Sequence, residues 1–220
     1  VTGIKLANIA TKIALGHTLA EQGYKTGIAP EKKRWYVKVP VFSFEKLAGV
    51  DVQLGPEMKS TGEVLGIAKT FEEALLKGLV AAGYKLGERG GVLITVRDTD
   101  KPEIVAIAEK FEQLGFTLYA TPGTALVLNQ HMVAANSVRK MSEPSPNVLD
   151  LLESGQISYV ISTSKGGPNP AEHQSVRLRR RAIEQSIACL TALDTAAALA
   201  GCLATKKSMA DIELVSITDL

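Results

Sequence analysis

Apolar residues recur at two different periods along this chain, and the change of rhythm divides it. Between residues 5 and 15, Leu6, Ile9, Ala10 and Ile13 fall at helical spacing, and Gly16 stops the run. Tyr36 to Phe44 alternates instead, with Val37, Val39 and Val41 on one side and Lys38 on the other. Pro30 and Pro40 argue against a central strand there. A Gly-rich stretch from Leu54 ends in a strand-like tail at Ala68. Thr70-Phe-Glu-Glu73 has the pattern of a capping box, in which Thr70 and Glu73 satisfy each other's backbone donors. The helix it opens carries Phe71, Leu75, Leu76, Leu79 and Val80 on its apolar side, and Gly83 can end it. Tyr84 to Gly91 is short, polar and rich in Gly, and reads as a linker.

Beyond the linker the pattern becomes regular. Val92 to Val96 is a buried strand, and Asp98 or Asp100 can cap the next helix, with Pro102 in its first turn. Ile104, Ile107, Ala108 and Phe111 share one face of that helix, and Gly115 ends it. A strand at 116–120, a helix from Gly123, a short strand around Val133 to Val138, a helix around Val148 to Glu153 and a strand at 158–162 follow. A polar loop then runs from Thr163 to Ala171. Helices from His173 to Ser186 and Thr191 to Leu203 close the chain, with an apolar stretch, Ile187 to Leu190, between them. Strands alternating with helices predict an α/β, three-layer domain with a mostly parallel sheet over 86–220, preceded by an α+β segment over 1–85.

Composition sets wide limits. The chain has 220 residues, 45% of them hydrophobic, so a real core is affordable, and a net charge of +2 shows no global nucleic-acid footprint. No apolar run approaches the ~18 residues of a membrane span. Cys189 and Cys202 lack metal-type spacing and are expected to be buried, reduced thiols of a cytoplasmic protein. Val1 is not an initiator methionine, which fits a fragment or a chain whose methionine was removed.

Candidate chemistry gathers at the predicted C-terminal strand ends, where α/β sheets bind ligands. Tyr119-Ala-Thr-Pro-Gly-Thr-Ala125 reads as strand, turn and helix. Thr121, Gly123 and Thr124 then meet a helix N-terminus, whose N–H groups and dipole suit a phosphate. Arg97, Asp98 and Lys101 follow the first strand, and Arg139 and Lys140 follow the third. Ser162 ends the fourth, with Thr163, Ser164 and Lys165 after it. Hydroxyls, amides and lysines on one rim are the chemistry of phosphate binding. Ordinary caps and solvated lysines are the competing explanation. Arg177-Leu-Arg-Arg-Arg181 reads as a solvated helix face, and Trp35 as packing. His17, His131 and His173 lack ligand spacing, and no metal site, Ser-His-Asp order or Walker-type loop is present.

The segment Gly49-Val-Asp-Val-Gln-Leu-Gly-Pro-Glu-Met-Lys-Ser-Thr-Gly-Glu-Val-Leu-Gly66 closely resembles the end of the second ATP-grasp half of the carbamoyl-phosphate synthase large subunit, and Leu19-Ala-Glu-Gln-Gly23 fits upstream. Residues after about 90 resemble that subunit's C-terminal regulatory domain, of methylglyoxal-synthase-like fold. The resemblance implies a parent ligase that makes carbamoyl phosphate from bicarbonate, ammonia and two ATP, with magnesium or manganese. A small glutamine amidotransferase subunit supplies the ammonia, and the product serves pyrimidine and arginine biosynthesis. It implies no catalytic residue, metal or cofactor in this stretch, whose partners would be an effector, the rest of the large subunit and that small subunit. Contact with nucleic acid or membrane is not expected, and homo-oligomerisation is left open.

The family's effectors are UMP as inhibitor and IMP or phosphoribosyl pyrophosphate as activators. Its effector-binding lysine matches Lys101, its threonine pair Thr121 and Thr124, its later lysine Lys140, and its strand-end loop Ser162 to Ser164. Ser162 stands where enzymes of the enteric type carry Asn, the loop Lys165 to Glu172 is longer, and an ornithine-holding tyrosine falls at Cys189. These departures favour UMP and phosphoribosyl pyrophosphate over ornithine. Methylglyoxal synthase itself is the rival within the fold. It needs a carboxylate base, but its Gly-Gly-Asp corresponds to Gly166-Gly-Pro-Asn169, and Arg97 replaces its histidine. A non-catalytic interaction module is the third reading.

Overall fold

The computed structural model describes residues 2–28, 30–41, 60–164, 170–207 and 209–216, without the side chains of 170–173 and 209. Most of the Gly-Pro-Glu-Met-Lys-Ser segment and all of Lys165 to Asn169 therefore lie outside the described residues.

The amino-terminal part is small. Helix α1 (Leu6–Ala14) forms where the helical period predicts it, yet none of its residues is buried, and Leu6 and Ile13 are exposed. Strands β1 (Trp35–Val41) and β2 (Gly62–Ala68) pair antiparallel as a two-stranded sheet. Pro40 is tolerated in β1 because a two-stranded sheet has only edge strands. Helix α2 (Phe71–Ala81) covers the ribbon. The approach at Gly66 is so close that a Cβ there would sit 1.9 Å from the Ala74 carbonyl.

Only half of the expected capping box forms in α2. Thr70 Oγ1 accepts from the Glu73 N–H at 3.3 Å, but the Glu73 carboxylate turns away to the Lys207 ammonium at 3.2 Å. Lys77 Nζ donates to the carbonyls of Ile67 and Glu213, and Lys69 pairs with the Glu213 carboxylate at 3.2 Å. The segment after the last helix thus straps back onto α2 and β2.

The larger unit is a five-stranded sheet. Strands β3 (Gly91–Thr95), β4 (Thr117–Ala120), β5 (Ala135–Ser137), β6 (Ile157–Ser162) and β7 (Ala188–Leu190) lie in the order β5-β4-β3-β6-β7, all parallel. The apolar stretch 187–190 supplies β7, too short to show a strand period by itself.

Alternate residues of β3 feed two cores, because successive side chains leave a strand on opposite faces. Val92 and Ile94 pack with Ile104, Ile107 and Phe111 of α3 (Lys101–Gln113), Leu128 of α4 (Pro122–Gln130) and Leu199 of α7 (Leu193–Ala204). Leu93 and Val160 pack on the other face with Val148 and Leu152 of α5 (Val148–Glu153) and Leu178 and Ala182 of α6 (Pro170–Glu184). Three layers result, as the alternation predicted. Each fully buried Leu, Ile or Phe side chain contributes about 1.5–3 kcal/mol by leaving water. Phe111, Phe116 and Tyr159 form a trio with ring centroids 5.6–6.1 Å apart.

The strand order determines where a ligand can sit. The chain runs from β3 outward to β4 and β5, then returns to the other side of β3 with β6 and β7. Helix α3 leaves β3 on one face and α6 leaves β6 on the other. A crevice opens where the connections diverge, beyond the carboxyl ends of β3 and β6.

Candidate functional site

The crevice holds a cavity of ≈ 200 Å³. Thr95 and Val96 at the end of β3, Asp98, and Lys101 at the start of α3 form one wall. Thr121, Gly123 and Thr124 bring the start of α4 to it, and Lys140 and Met141 come from the segment after β5. Val148, Ser164, Gln174, Ser175 and Leu178 close the side facing α5 and α6.

Local sequence explains the cradle at α4. Thr121 is the N-cap, but its side chain makes no capping bond, so the hydroxyl is left for the cavity. Pro122 fits the first helical position and has no N–H. The N–H groups of Thr124 and Ala125 both reach the Thr121 carbonyl at 2.9 Å. The Gly123 N–H has no partner among the described residues, at the positive end of the helix dipole. Lys101 Nζ lies 3.0 Å from the point where a Cβ on residue 123 would stand, so glycine leaves the lysine room. Thr124 is buried and lines the cavity, and its hydroxyl makes no hydrogen bond to any described residue.

Two aspartates occupy the turn before α3, a single 3-10 turn at Asp98–Asp100. Neither side chain caps α3. Asp100 instead receives the Arg97 guanidinium through Nε and Nη2, both at 3.0 Å, and the Thr99 hydroxyl at 3.0 Å. Burial pushes its carboxyl up, but hydrogen bonds from Thr163, Arg97 and Thr99 outweigh that and hold it below the usual carboxylate range. Asp98 contacts Lys101 Nζ at 2.6 Å. That hydrogen bond, then the charges of Lys101 and Lys140, holds its carboxyl low as well.

Six sequence-predicted residues meet at this cavity: Lys101, Thr121, Gly123, Thr124, Lys140 and Ser164. Ser162 and Thr163 do not line it. Ser162 is wholly buried, and its hydroxyl has no partner among the described residues. Thr163 is buried too, its Oγ1 accepting the Arg97 N–H at 3.2 Å, which braces the end of β6 against the end of β3. Lys165 lies outside the described residues.

Thr95, Met141, Val148, Gln174, Ser175 and Leu178 were not singled out from the sequence. The spacing of 174, 175 and 178 on one helical face was visible, but which layer that face meets was not. Arg179 corrects the expectation of a solvated arginine face. It is completely buried and donates through Nη1 to the Ser164 carbonyl at 2.6 Å. Arg177 is exposed, while Arg180 and Arg181 pair with Glu184, and Arg181 also with Glu153.

Cys189 and Cys202 are free thiols, and burial pushes them up to about 12 and about 11, far from thiolate formation. Among the described residues no cluster of His, Cys, Asp and Glu is placed for a metal ion, and no helix is long and apolar enough to cross a membrane.

A parallel α/β sheet with helices on both faces and a polar cleft at its switch point defines the class of this unit. Residues 103–191, from the first turn of α3 to just past β7, match the family described as the MGS-like domain. The chain therefore carries an MGS-like domain, a fold that occurs in more than one family.

Proposed function

We propose that this chain is the C-terminal regulatory part of a carbamoyl-phosphate synthase large subunit. Its cavity binds a phosphorylated effector, with UMP as inhibitor and phosphoribosyl pyrophosphate or IMP as activator. The observation that carries the proposal is the convergence of Lys101, Lys140, Thr121, Thr124 and the Gly123 amide on one cleft. Two ammonium groups offset the charge of a phosphate, and hydroxyls and an amide can orient its oxygens. Residues 1–85 are then the end of an ATP-grasp domain and 86–220 the regulatory domain. ATP, magnesium or manganese, and the amidotransferase subunit belong to the rest of that enzyme, in the cytoplasm.

Methylglyoxal formation fits the cleft less well. Asp98 is the one carboxylate among the cavity's described lining residues, and the Lys101 ammonium makes it a weak base. Calorimetry of the chain with UMP, IMP, phosphoribosyl pyrophosphate and ornithine tests the proposal. Lys101→Ala should weaken nucleotide binding by roughly 1.5–3 kcal/mol, the value of a charged hydrogen bond. Unchanged affinity in that variant, or steady methylglyoxal production from dihydroxyacetone phosphate, overturns it.

A further inference from the structure

Lys101 is already engaged within the cleft. Its ammonium lies against the start of α4, beside Gly123, where the phosphate of the proposed effector would sit. The Asp98 carboxylate holds it there at 2.6 Å. The two partners differ in surroundings, with 21% of the Lys101 side chain exposed against 92% of the Asp98 side chain. The lysine is therefore lodged in the wall, while the aspartate reaches it from solvent and can swing away.

Asp100, two residues on, shows what a structural aspartate looks like in the same turn. Its side chain is 13% exposed, gripped by Arg97 and hydrogen-bonded to Thr99. Arg97 is thereby committed to Asp100 and does not compensate Asp98. Asp98 makes no hydrogen bond or ion pair to a described residue other than Lys101.

We propose that Asp98 is an internal competitor for the phosphate, holding Lys101 until a phosphomonoester displaces it. The inference rests on the phosphate-binding reading of this cleft. Removing the carboxylate frees the ammonium beforehand and also removes a negative charge that a dianion would face. Asp98 thus sets the affinity of the site below what its cations alone allow, keeping it responsive to changes in ligand concentration. An exposed ion pair of this kind is weak, so its removal should raise affinity by about two- to fivefold.

Calorimetric titration of the whole chain, its Asp98→Asn variant and its Asp98→Ser variant with UMP and with inorganic phosphate tests this. Thermal unfolding checks that all three are folded. The expected result is tighter binding of both ligands by both variants, by similar factors, because the tetrahedral anion is the shared group. Equal or weaker binding by the variants, where the unaltered chain binds UMP, overturns the competitor role and leaves the phosphate site standing. A gain confined to UMP places Asp98 against the nucleoside and also overturns it. If the folded chain and both variants bind neither ligand, the phosphate reading fails, and the competitor role fails with it.

Discussion

The two ends of the five-stranded sheet are both polar and both hollow, yet their polar groups are used differently. At the amino ends of the strands a cavity of ≈ 260 Å³ is lined by Lys85, Gly87, Ser158, Gln185 and Ser186, among others. It is larger than the ≈ 200 Å³ cavity at the carboxyl ends. Around it the inward polar groups are hydrogen-bonded, while Lys85, Gln185 and Ser186 are exposed to water. Ser158 donates to the Arg89 carbonyl at 2.8 Å, Tyr159 to the Gly87 carbonyl at 2.9 Å, and the Gly91 N–H to the Gln156 carbonyl at 2.7 Å. At the carboxyl ends the Thr124 hydroxyl, the Gly123 N–H and the Lys140 ammonium have no such partners among the described residues. Volume does not separate the two ends. Burial of unspent hydrogen-bonding capacity does, as at Thr124, since a buried polar group without a partner is costly unless something else supplies one.

The comparison breaks most readily at Arg179, which lies beneath the rim. Arg179→Ala removes a charge-assisted bond to the Ser164 carbonyl and empties a fully buried volume. Stability should fall by roughly 3 kcal/mol in urea denaturation, and UMP binding should weaken as the Ser164 loop loosens. A loss near zero would mean that Arg179 does not fasten the rim.

A pair of milder variants sharpens the contrast. Tyr159→Phe strips the Gly87 carbonyl of its donor at the satisfied end, and should cost about 1–2 kcal/mol of stability with UMP affinity unchanged. Thr124→Ala at the other end should cost about 1 kcal/mol of binding, with a smaller effect on unfolding. Equal effects of the two variants on both measurements would dissolve the distinction.

The smallest expected effect concerns acid. Asp100 is held below the ordinary carboxylate range, so its ion pair with Arg97 stabilises the fold above the unfolded value of about 3.9. That contribution disappears as pH falls through the lower folded-state value. Thermal unfolding followed from pH 6 to pH 2.5 should show a steeper acid decline in the unaltered chain than in Asp100→Asn. Parallel curves would remove Asp100 from the brace at the carboxyl end.

Much of the fold was legible because long helices and buried strands carry strong periods. Helix α3 shows its apolar face and its stop at Gly115, and β3 and β6 are built around the apolar runs Val92–Ile94 and Tyr159–Ile161. Strand β7 was only an apolar stretch, since three residues cannot establish a period. The capping-box pattern at Thr70 misled in part, because Lys207, far along the chain, draws Glu73 away. Asn147 and Asp150 do form a full capping box at α5.

The sequence alone determined that hydroxyls, a glycine amide and lysines follow successive strands. Tertiary structure decided which of them share a cavity. Strand order placed β6 beside β3, opening the crevice at their junction and bringing α6 to its far side. It also buried Ser162 and tied Thr163 to Arg97, which no local signal could announce. The reason is physical. Local propensity acts through neighbours in the chain, whereas burial and hydrogen-bond partnership depend on groups dozens of residues away that meet only when the sheet is assembled.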